Sequence, residues 1–417
     1  MRAADIRVVV TGMGVVSPVG IGVSAFWDSV VNGRSGIKPI THFDASSYPS
    51  RIAGMVEDFD PSQILDPNLI KHTSMYEQFA LVAMKEAMAQ SGLVITEENA
   101  YEVASVIGSG IGGFEIPSQQ YNILKLKGVE RLDPYMIIKM IADGATSYAS
   151  IECGAKGPKF APVAACASST IAIGEAYEII KRDDAVAAIT GGSESAVTDL
   201  GLGSFVAARA LSKRNDNPET VSRPFDQNRD GMVMSEGAAI FVLEERNTAM
   251  QRGANILAEV VGYGNTSDAY NTVLPDPSGE GAARAMMIAM RKADLGPDHI
   301  GYISAHGTST PAGDPAEVLA IRQAFAERLS PPPVSSIKGP IGHTLGASGA
   351  IALVACIMAM HTRTIPPTTN LEHIDPACEG LDHVANIARV CPTHLHSAMV
   401  NSFGFGGHNA SLVVTRP

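Results

Sequence analysis

The sequence predicts an α/β fold built from two similar halves, each a sheet covered by helices on both faces. Three observations carry this. Four sequence blocks recur in the same order in the first and second parts of the chain. Apolar strand-like runs alternate with helical stretches. Forty glycines and 25 prolines among 417 residues punctuate them. Strands that read as continuous apolar runs, rather than alternating ones, belong to sheets buried on both sides. The boundary falls near residue 252, giving halves 1–252 and 253–417.

The elements follow in order. Val8-Val9-Val10-Thr11-Gly12-Met13-Gly14-Val15-Val16-Ser17 is a first strand with a Gly-x-Gly and a closing hydroxyl. Its counterpart is Ala258-Glu259-Val260-Val261-Gly262-Tyr263-Gly264-Asn265-Thr266-Ser267. Val106-Ile107-Gly108-Ser109-Gly110-Ile111-Gly112-Gly113 is a strand entering a loop, matched by Tyr302 to Thr310. The segment 114–146 has no counterpart; it carries Lys125, Lys127 and Arg131 and reads as an insertion over the site or at a subunit interface. Phe160-Ala161-Pro162-Val163-Ala164 is a strand-like run into Cys166, and Thr170 to Lys181 is an amphipathic helix. This unit matches Val334 to His343 followed by the helical run Ala347 to Met360. Ala187 to Ser193 matches Met399 to Gly407, and Arg209 to Arg229 is a long polar loop.

Composition narrows the function. A net charge of −12, with no basic cluster interleaved with aromatics, argues against nucleic-acid binding, so an acidic partner needs a local basic patch. No run of 18 apolar residues occurs, so no membrane span is expected. Arg2, Arg7 and Val8-Val9-Val10 suggest a leader only until Thr11-Gly12 interrupts them, and a first strand is the better reading. Five cysteines without a CxxC suggest neither a disulfide framework nor a zinc site, which fits a reduced, cytoplasmic setting.

The chemistry centres on Cys166 in Ala164-Ala165-Cys166-Ala167-Ser168-Ser169. A strand turning sharply into a helix places the sulfur near unpaired N–H groups and a dipole that favour thiolate, an effect of about 0.3–2 kcal/mol. The competing reading is a small buried hydrophobe. His306, in Ala305-His306-Gly307-Thr308-Ser309-Thr310, and His343, in Gly342-His343-Thr344-Leu345-Gly346, end strand-like runs where the halves converge. Phe403-Gly404-Phe405-Gly406-Gly407 can bend to present backbone N–H groups, and Lys338 shares the loop of His343. The Gly-rich loops at Gly12 and Gly108 lack a full GxGxxG, and neither GxxxxGK[ST] nor GxSxG occurs, so nucleotide-binding and hydrolase readings are weak. His394 and His396 flank Leu395; HxH suggests a metal, and a surface strand is the alternative.

Taken together, Ala165-Cys166-Ala167-Ser168, Ala305 to Asp314, Ile337-Lys338-Gly339-Pro340-Ile341-Gly342-His343 and Asn401-Ser402-Phe403-Gly404-Phe405-Gly406-Gly407-His408-Asn409 resemble the β-ketoacyl-acyl-carrier-protein synthases. The elongating type II enzymes are the most similar, and the resemblance spans essentially the whole chain. Arg209-Ala210-Leu211-Ser212 and Ser222-Arg223-Pro224-Phe225-Asp226 are similar to the family's central loop. The resemblance implies a thiolase-like fold in five layers, α-β-α-β-α, usually a homodimer, and an acyltransferase. Its reaction is a decarboxylative Claisen condensation through an acyl thioester on Cys166, with His306, His343 and Lys338 as further catalytic residues. It implies an oxyanion hole from the N–H groups of Cys166 and Phe405. Thr308 and Thr310 bind pantetheine, and Ile111, Phe205, Phe403 and Phe405 line or gate the acyl pocket. Arg209, Lys213, Arg214, Lys125, Lys127 and Arg131 are candidates for docking an acyl carrier protein. Neither a metal nor a cofactor is implied beyond the carrier's phosphopantetheine.

Three departures bear on the substrate. Ala352 stands where the family has a glutamate, leaving Lys338 without that partner and a nearby structural ion in doubt. Val273 replaces a hydroxyl in the pantetheine loop. Leu69-Ile70-Lys71-His72-Thr73-Ser74 lacks the usual basic run. A specialised polyketide- or polyene-type synthase, with a chain-length partner subunit, is therefore the alternative. A noncatalytic partner, a thiolase and an initiating synthase are disfavoured, because the nucleophile and both histidines are present and Phe403 to Gly407 lacks a second cysteine.

Overall fold

Pairs of matching strands define the architecture. The computed structural model describes residues 6–328, 330–391, 393 and 395–417. In the N-terminal half, β1 (Val8–Ser17), β2 (Val103–Gly108), β3 (Ala187–Glu194) and β4 (Gly237–Glu245) lie in the spatial order β1-β4-β3-β2. In the C-terminal half, β5 (Ala258–Ser267), β6 (Ile303–Ser304), β7 (Pro333–Ser335), β8 (Ser397–Gly404) and β9 (His408–Thr415) lie in the order β5-β9-β8-β6-β7. Strand β2 pairs in parallel with β3, and β6 pairs in parallel with both β8 and β7; the other pairings among these strands are antiparallel. The duplication seen in the sequence is thus a duplication of topology. The two units join where Val8, Val9 and Val10 of β1 pair antiparallel with Val260, Glu259 and Ala258 of β5.

The main helices are α1 (Met75–Ser91), α2 (Glu115–Lys127), α3 (Ser168–Lys181), α4 (Glu280–Ala293), α5 (Gly313–Ala324) and the last long helix α6 (Ser348–Thr362), with shorter helices before and between them. The outer helix α1 packs on β1 and β4, and α4 packs on β5 and β9. Helices α3 and α6 pack against each other and against strands of both halves. The order is α1, sheet, α3 with α6, sheet, α4: five layers. Ser74 and Glu77 cap α1 reciprocally, Glu77 Oε2 accepting from Ser74 N at 2.6 Å, and Gly92 in the left-handed region (φ 63°) ends it. The central helix α6 is buried on every side except at Met358, His361 and Thr362. A stretch containing it, Leu345–Thr362, is long and apolar enough to cross a membrane, but 83% of it lies inside the fold. An all-round apolar helix is what a central layer requires.

The two Gly-x-Gly pairs now have a packing role rather than a phosphate-binding one. A Cβ at Gly14 would lie 2.8 Å from Glu86 Cβ of α1, and one at Gly264 would lie 2.9 Å from Ala289 N of α4. Each outer helix sits directly on strand backbone, facing it with small residues, Ala83 and Ala87 or Ala285 and Ala289.

One expectation is corrected and another lies partly outside the described residues. Phe160 to Ala164 is not a strand: the segment is extended, with one isolated bridge from the preceding Lys159 to Ser105. Pro162 has no N–H for a ladder, which explains the missing pairing. The HxH pair is only half visible, since His394 lies outside the described residues. The unmatched segment 114–146 forms α2 and shorter helices, and it exposes Tyr121, Leu124, Leu126, Val129 and Ile137.

Candidate active site

Cys166 lies in a tight 3-10 turn, Ala165–Ala167, immediately before α3. Ala165 takes a left-handed φ of 49°, costly for a residue with a Cβ, and that bend turns the chain into the helix. Ser168 secures it: its Oγ accepts from Ala164 N at 2.9 Å and donates to Ala165 O at 2.7 Å. The sulfur therefore faces the ends of strands from the opposite half.

Two histidines arrive there from the C-terminal half. His343 Nε2 is 3.0 Å from Cys166 Sγ. One ligand-type atom from each of Cys166, His306 and His343 falls within 4.8 Å of the others. The imidazoles meet edge to face, with centroids 5.2 Å apart. The backbone of His343 is clamped by His343 N donating to Val233 O and Ser235 N donating to His343 O. The backbone of His306 is held by Glu317, which accepts from His306 N and Gly307 N, each at 2.7 Å. Lys338 Nζ donates to His306 O at 2.5 Å.

Burial dominates the electrostatics. Both imidazoles are held well below their ordinary pKa, first by desolvation and then by the positive charge of Lys338, so both are neutral at pH 7. Neither Nδ1 has a protein partner among the described residues, so no hydrogen bond at Nδ1 fixes either tautomer. Burial lowers the Lys338 ammonium while Glu317 pulls it back up. Burial also pushes the Cys166 thiol up to about 12, opposed by Lys338 and by the backbone N–H groups of Cys166 and Phe405. This runs against the expectation of a thiolate made by the helix N-terminus: the backbone N–H groups lower the thiol, but desolvation outweighs them. A thiol and two imidazoles are also zinc-type donors, but the nearby Lys338 charge opposes a dication.

A cavity of about 350 Å³ opens beside the sulfur and both histidines. Thr308 and Thr310 line it, their hydroxyls 3.1 Å apart, as do Phe205, Phe403, Phe405 and the exposed Arg209. Ile111 does not line the open space. It packs with Cys166, Phe205, Leu345 and Met234 in an apolar cluster that closes the other side of the sulfur. Lys213 and Arg214 are exposed in the polar loop beyond Arg209. Lys125, Lys127 and Arg131 are exposed on and after α2, and none of these five lines the cavity.

Sequence reasoning missed two acids. Ala352 is a core residue of α6, and the lysine instead faces Glu317 on α5. Glu194 ends β3 completely buried, directly behind the cysteine. Each was visible only as an acid in an otherwise small or apolar run, with no sign of what it contacts.

Comparison with known proteins places this geometry. Residues 5–249 match the family described as beta-ketoacyl synthase, N-terminal domain, and residues 257–372 match beta-ketoacyl synthase, C-terminal domain. The chain is 46% identical over 410 residues to 3-oxoacyl-[acyl-carrier-protein] synthase 2 of Coxiella burnetii, covering 98% of each protein. It is also 46% identical to the protein of the same name from Synechocystis, covering 97% of each. Among solved structures it is similar to a type II polyketide synthase acyl-carrier protein in complex with its ketosynthase. There the TM-score is 0.90, the identity 31%, and 99% of each chain is covered.

Proposed function

The chain belongs to the β-ketoacyl synthase family, and from that premise we infer that it condenses an acyl chain with malonyl-acyl-carrier protein, releasing CO2 and a β-ketoacyl product. The enzyme is an acyltransferase of the thiolase fold, and its partner is an acyl carrier protein. The observation that carries the mechanism is His343 Nε2 at 3.0 Å from Cys166 Sγ, with His306 in the same group and both imidazoles neutral.

In the first half-reaction Cys166 Sγ attacks the acyl thioester. With the thiol raised to about 12, sulfur does not wait as a thiolate; its proton passes to His343 Nε2 as the S–C bond forms, and then to the departing carrier thiolate. In the second, malonyl-carrier loses CO2 and negative charge gathers on its thioester oxygen. Once His343 has shifted its proton from the unpartnered Nδ1 to Nε2, two neutral imidazoles donating from Nε2 hold that oxygen without delivering a proton to the carbon, which an imidazolium pair would do. The carbon attacks the acyl-Cys166 carbonyl, and the N–H groups of Cys166 and Phe405, which already point at the sulfur, hold the resulting oxyanion. Collapse expels the Cys166 sulfur, which regains a proton from solvent. Thr308 and Thr310 offer hydroxyls to the amides of the pantetheine arm along the cavity, and Arg209 meets the acidic carrier at its mouth.

The test offers malonyl-carrier alone and follows CO2. His343→Ala is expected to lose about 10²–10³-fold in decarboxylation, the value of one well-placed oxyanion donor. Cys166→Ala keeps CO2 release and loses acyl loading. Unchanged decarboxylation in the histidine variant overturns the assignment.

A second reading, a polyketide- or polyene-type ketosynthase, is favoured by the apolar Val273 and Leu274 lining the cavity where a hydroxyl was expected. Mass spectrometry of Cys166 after exposure to a carrier-bound acyl series separates the two: saturated chains alone exclude it. A homodimer is supported by β2, the edge strand of its half, and by the apolar residues exposed on 114–146; a monomer in sedimentation velocity excludes it.

A further inference from the structure

Glu194 accepts four hydrogen bonds in a fully buried position. Its Oε1 accepts from Ser109 Oγ at 2.9 Å and Ile111 N at 3.2 Å; its Oε2 accepts from Gly110 N at 2.8 Å and Gly346 N at 2.9 Å. These donors come from both halves of the chain. Gly346 is the middle residue of the 3-10 turn Leu345–Ala347 before α6, and Leu345 has φ 46° where Ala165 has 49°. The turn is therefore the C-terminal counterpart of Ala165–Ala167, with glycine in the place of Cys166. Ala167 N donates to Ala164 O, and Ala347 N donates to Thr344 O, both at 3.0 Å. Likewise Glu194 ends β3 as Gly404 ends β8.

The fold thus carries two copies of one anion cradle: a turn N–H before a central helix, beside the end of a strand from the other half. In one copy the strand ends in Gly404. A Cβ there would come within 3.1 Å of Cys166 N, so only the missing side chain leaves the space open. In the other copy the strand ends in a carboxylate that fills the space. An internal carboxyl group satisfies the turn N–H and leaves no room for a ligand.

The filled cradle sits against the closed side of the nucleophile. Ile111 and Leu345, each next to a backbone N–H held by Glu194, pack with Cys166 in one apolar cluster, and neither lines the open cavity. An acyl chain on Cys166 that extends toward this cluster, away from the open cavity, parts these side chains, while the carboxylate keeps their backbones in register. We propose that Glu194 is a positioning residue for the acyl chain: by tying the Ile111 loop to the Leu345 turn, it sets which chain lengths Cys166 accepts. The proposal rests on the condensing activity inferred above and adds a determinant of its substrate range.

Glu194→Gln keeps the shape but turns an amide NH2 toward two N–H donors, so the Ile111 loop or the Leu345 turn has to move. The experiment measures CO2 release from malonyl-carrier and acylation of Cys166 from four-carbon and sixteen-carbon acyl-carriers, with thermal melting as the check on folding. Decarboxylation is expected to stay within about threefold of wild type, because neither histidine is touched. The ratio of long-chain to short-chain acylation is expected to fall by about tenfold or more, as a displaced wall does in a positioned reaction. Ser109→Ala, which removes one donor, shifts the ratio in the same direction by less, and it decides the matter if Glu194→Gln does not fold. An unchanged or increased ratio in the folded variant overturns the proposal, as does an equal loss of CO2 release and of acylation at both lengths. A wild-type protein that neither releases CO2 nor takes up an acyl group refutes the condensing reading itself.

Discussion

The turn at Cys166 and the turn at Gly346 share a backbone and differ in what faces them. Both bend through a left-handed residue, both start a central helix, and both aim an N–H at the end of a strand from the other half. One faces a cavity and the other a carboxylate. Duplication therefore supplied the backbone of an oxyanion site twice, and single side chains at four positions, Cys166, Gly346, Glu194 and Gly404, decided which copy reacts. Backbone N–H groups cost the sequence nothing to repeat; a nucleophile and an empty space do.

Gly346→Ala gives the largest effect expected of this comparison. Its Cβ would collide with Gly110 N and lie 2.6 Å from Glu194 Oε2, both rigid, so the variant is expected to lose about 3 kcal/mol of stability in urea denaturation. Cys166 already carries a Cβ, so Cys166→Ala is expected to unfold within about 1 kcal/mol of wild type. Equal losses would break the claim that one cradle is filled and the other open.

The next test sharpens the electrostatic side. Alkylation by iodoacetamide requires the thiolate, and a thiol raised to about 12 gains about tenfold in thiolate per pH unit below that value. The alkylation rate of Cys166 is expected to climb across pH 7–10 without levelling, as followed by mass spectrometry. A plateau near neutral pH would mean that the turn N–H groups and Lys338 outweigh burial at the open cradle.

The smallest effect concerns the mouth, which only the open copy has. Arg209→Ala is expected to raise KM for the acidic carrier by about two- to fivefold, with salt dependence weakened and kcat on a small thioester surrogate unchanged. A change in kcat with the surrogate would move Arg209 from the mouth into the chemistry.

Much of this was legible in the string of residues. The paired blocks at Val8 and Ala258, and at Ala187 and Met399, became paired strands, because apolar runs of that length have to be buried and repeated runs bury alike. Cys166, His306 and His343 stood out because reactive residue types sat in glycine-flanked loops. Other features were misread for definite reasons. Phe160 to Ala164 has strand composition but a proline in its ladder. The helix N-terminus suggested a thiolate, yet desolvation depends on every neighbour of the sulfur. Ala352 on α6 leaves Lys338 without the family's glutamate, and the fold brings a carboxylate from α5 instead, as Glu317.

By itself the sequence determined the periodicities, the duplicated order of strands and the inventory of reactive groups, since these follow from local chain chemistry. Only the tertiary structure decided which acid meets which amide, that Ile111 closes the sulfur's far side, and that one of two equivalent cradles is already full. Those outcomes depend on contacts between segments up to hundreds of residues apart, in a water-poor interior where a few tenths of an ångström separate an open site from a closed one.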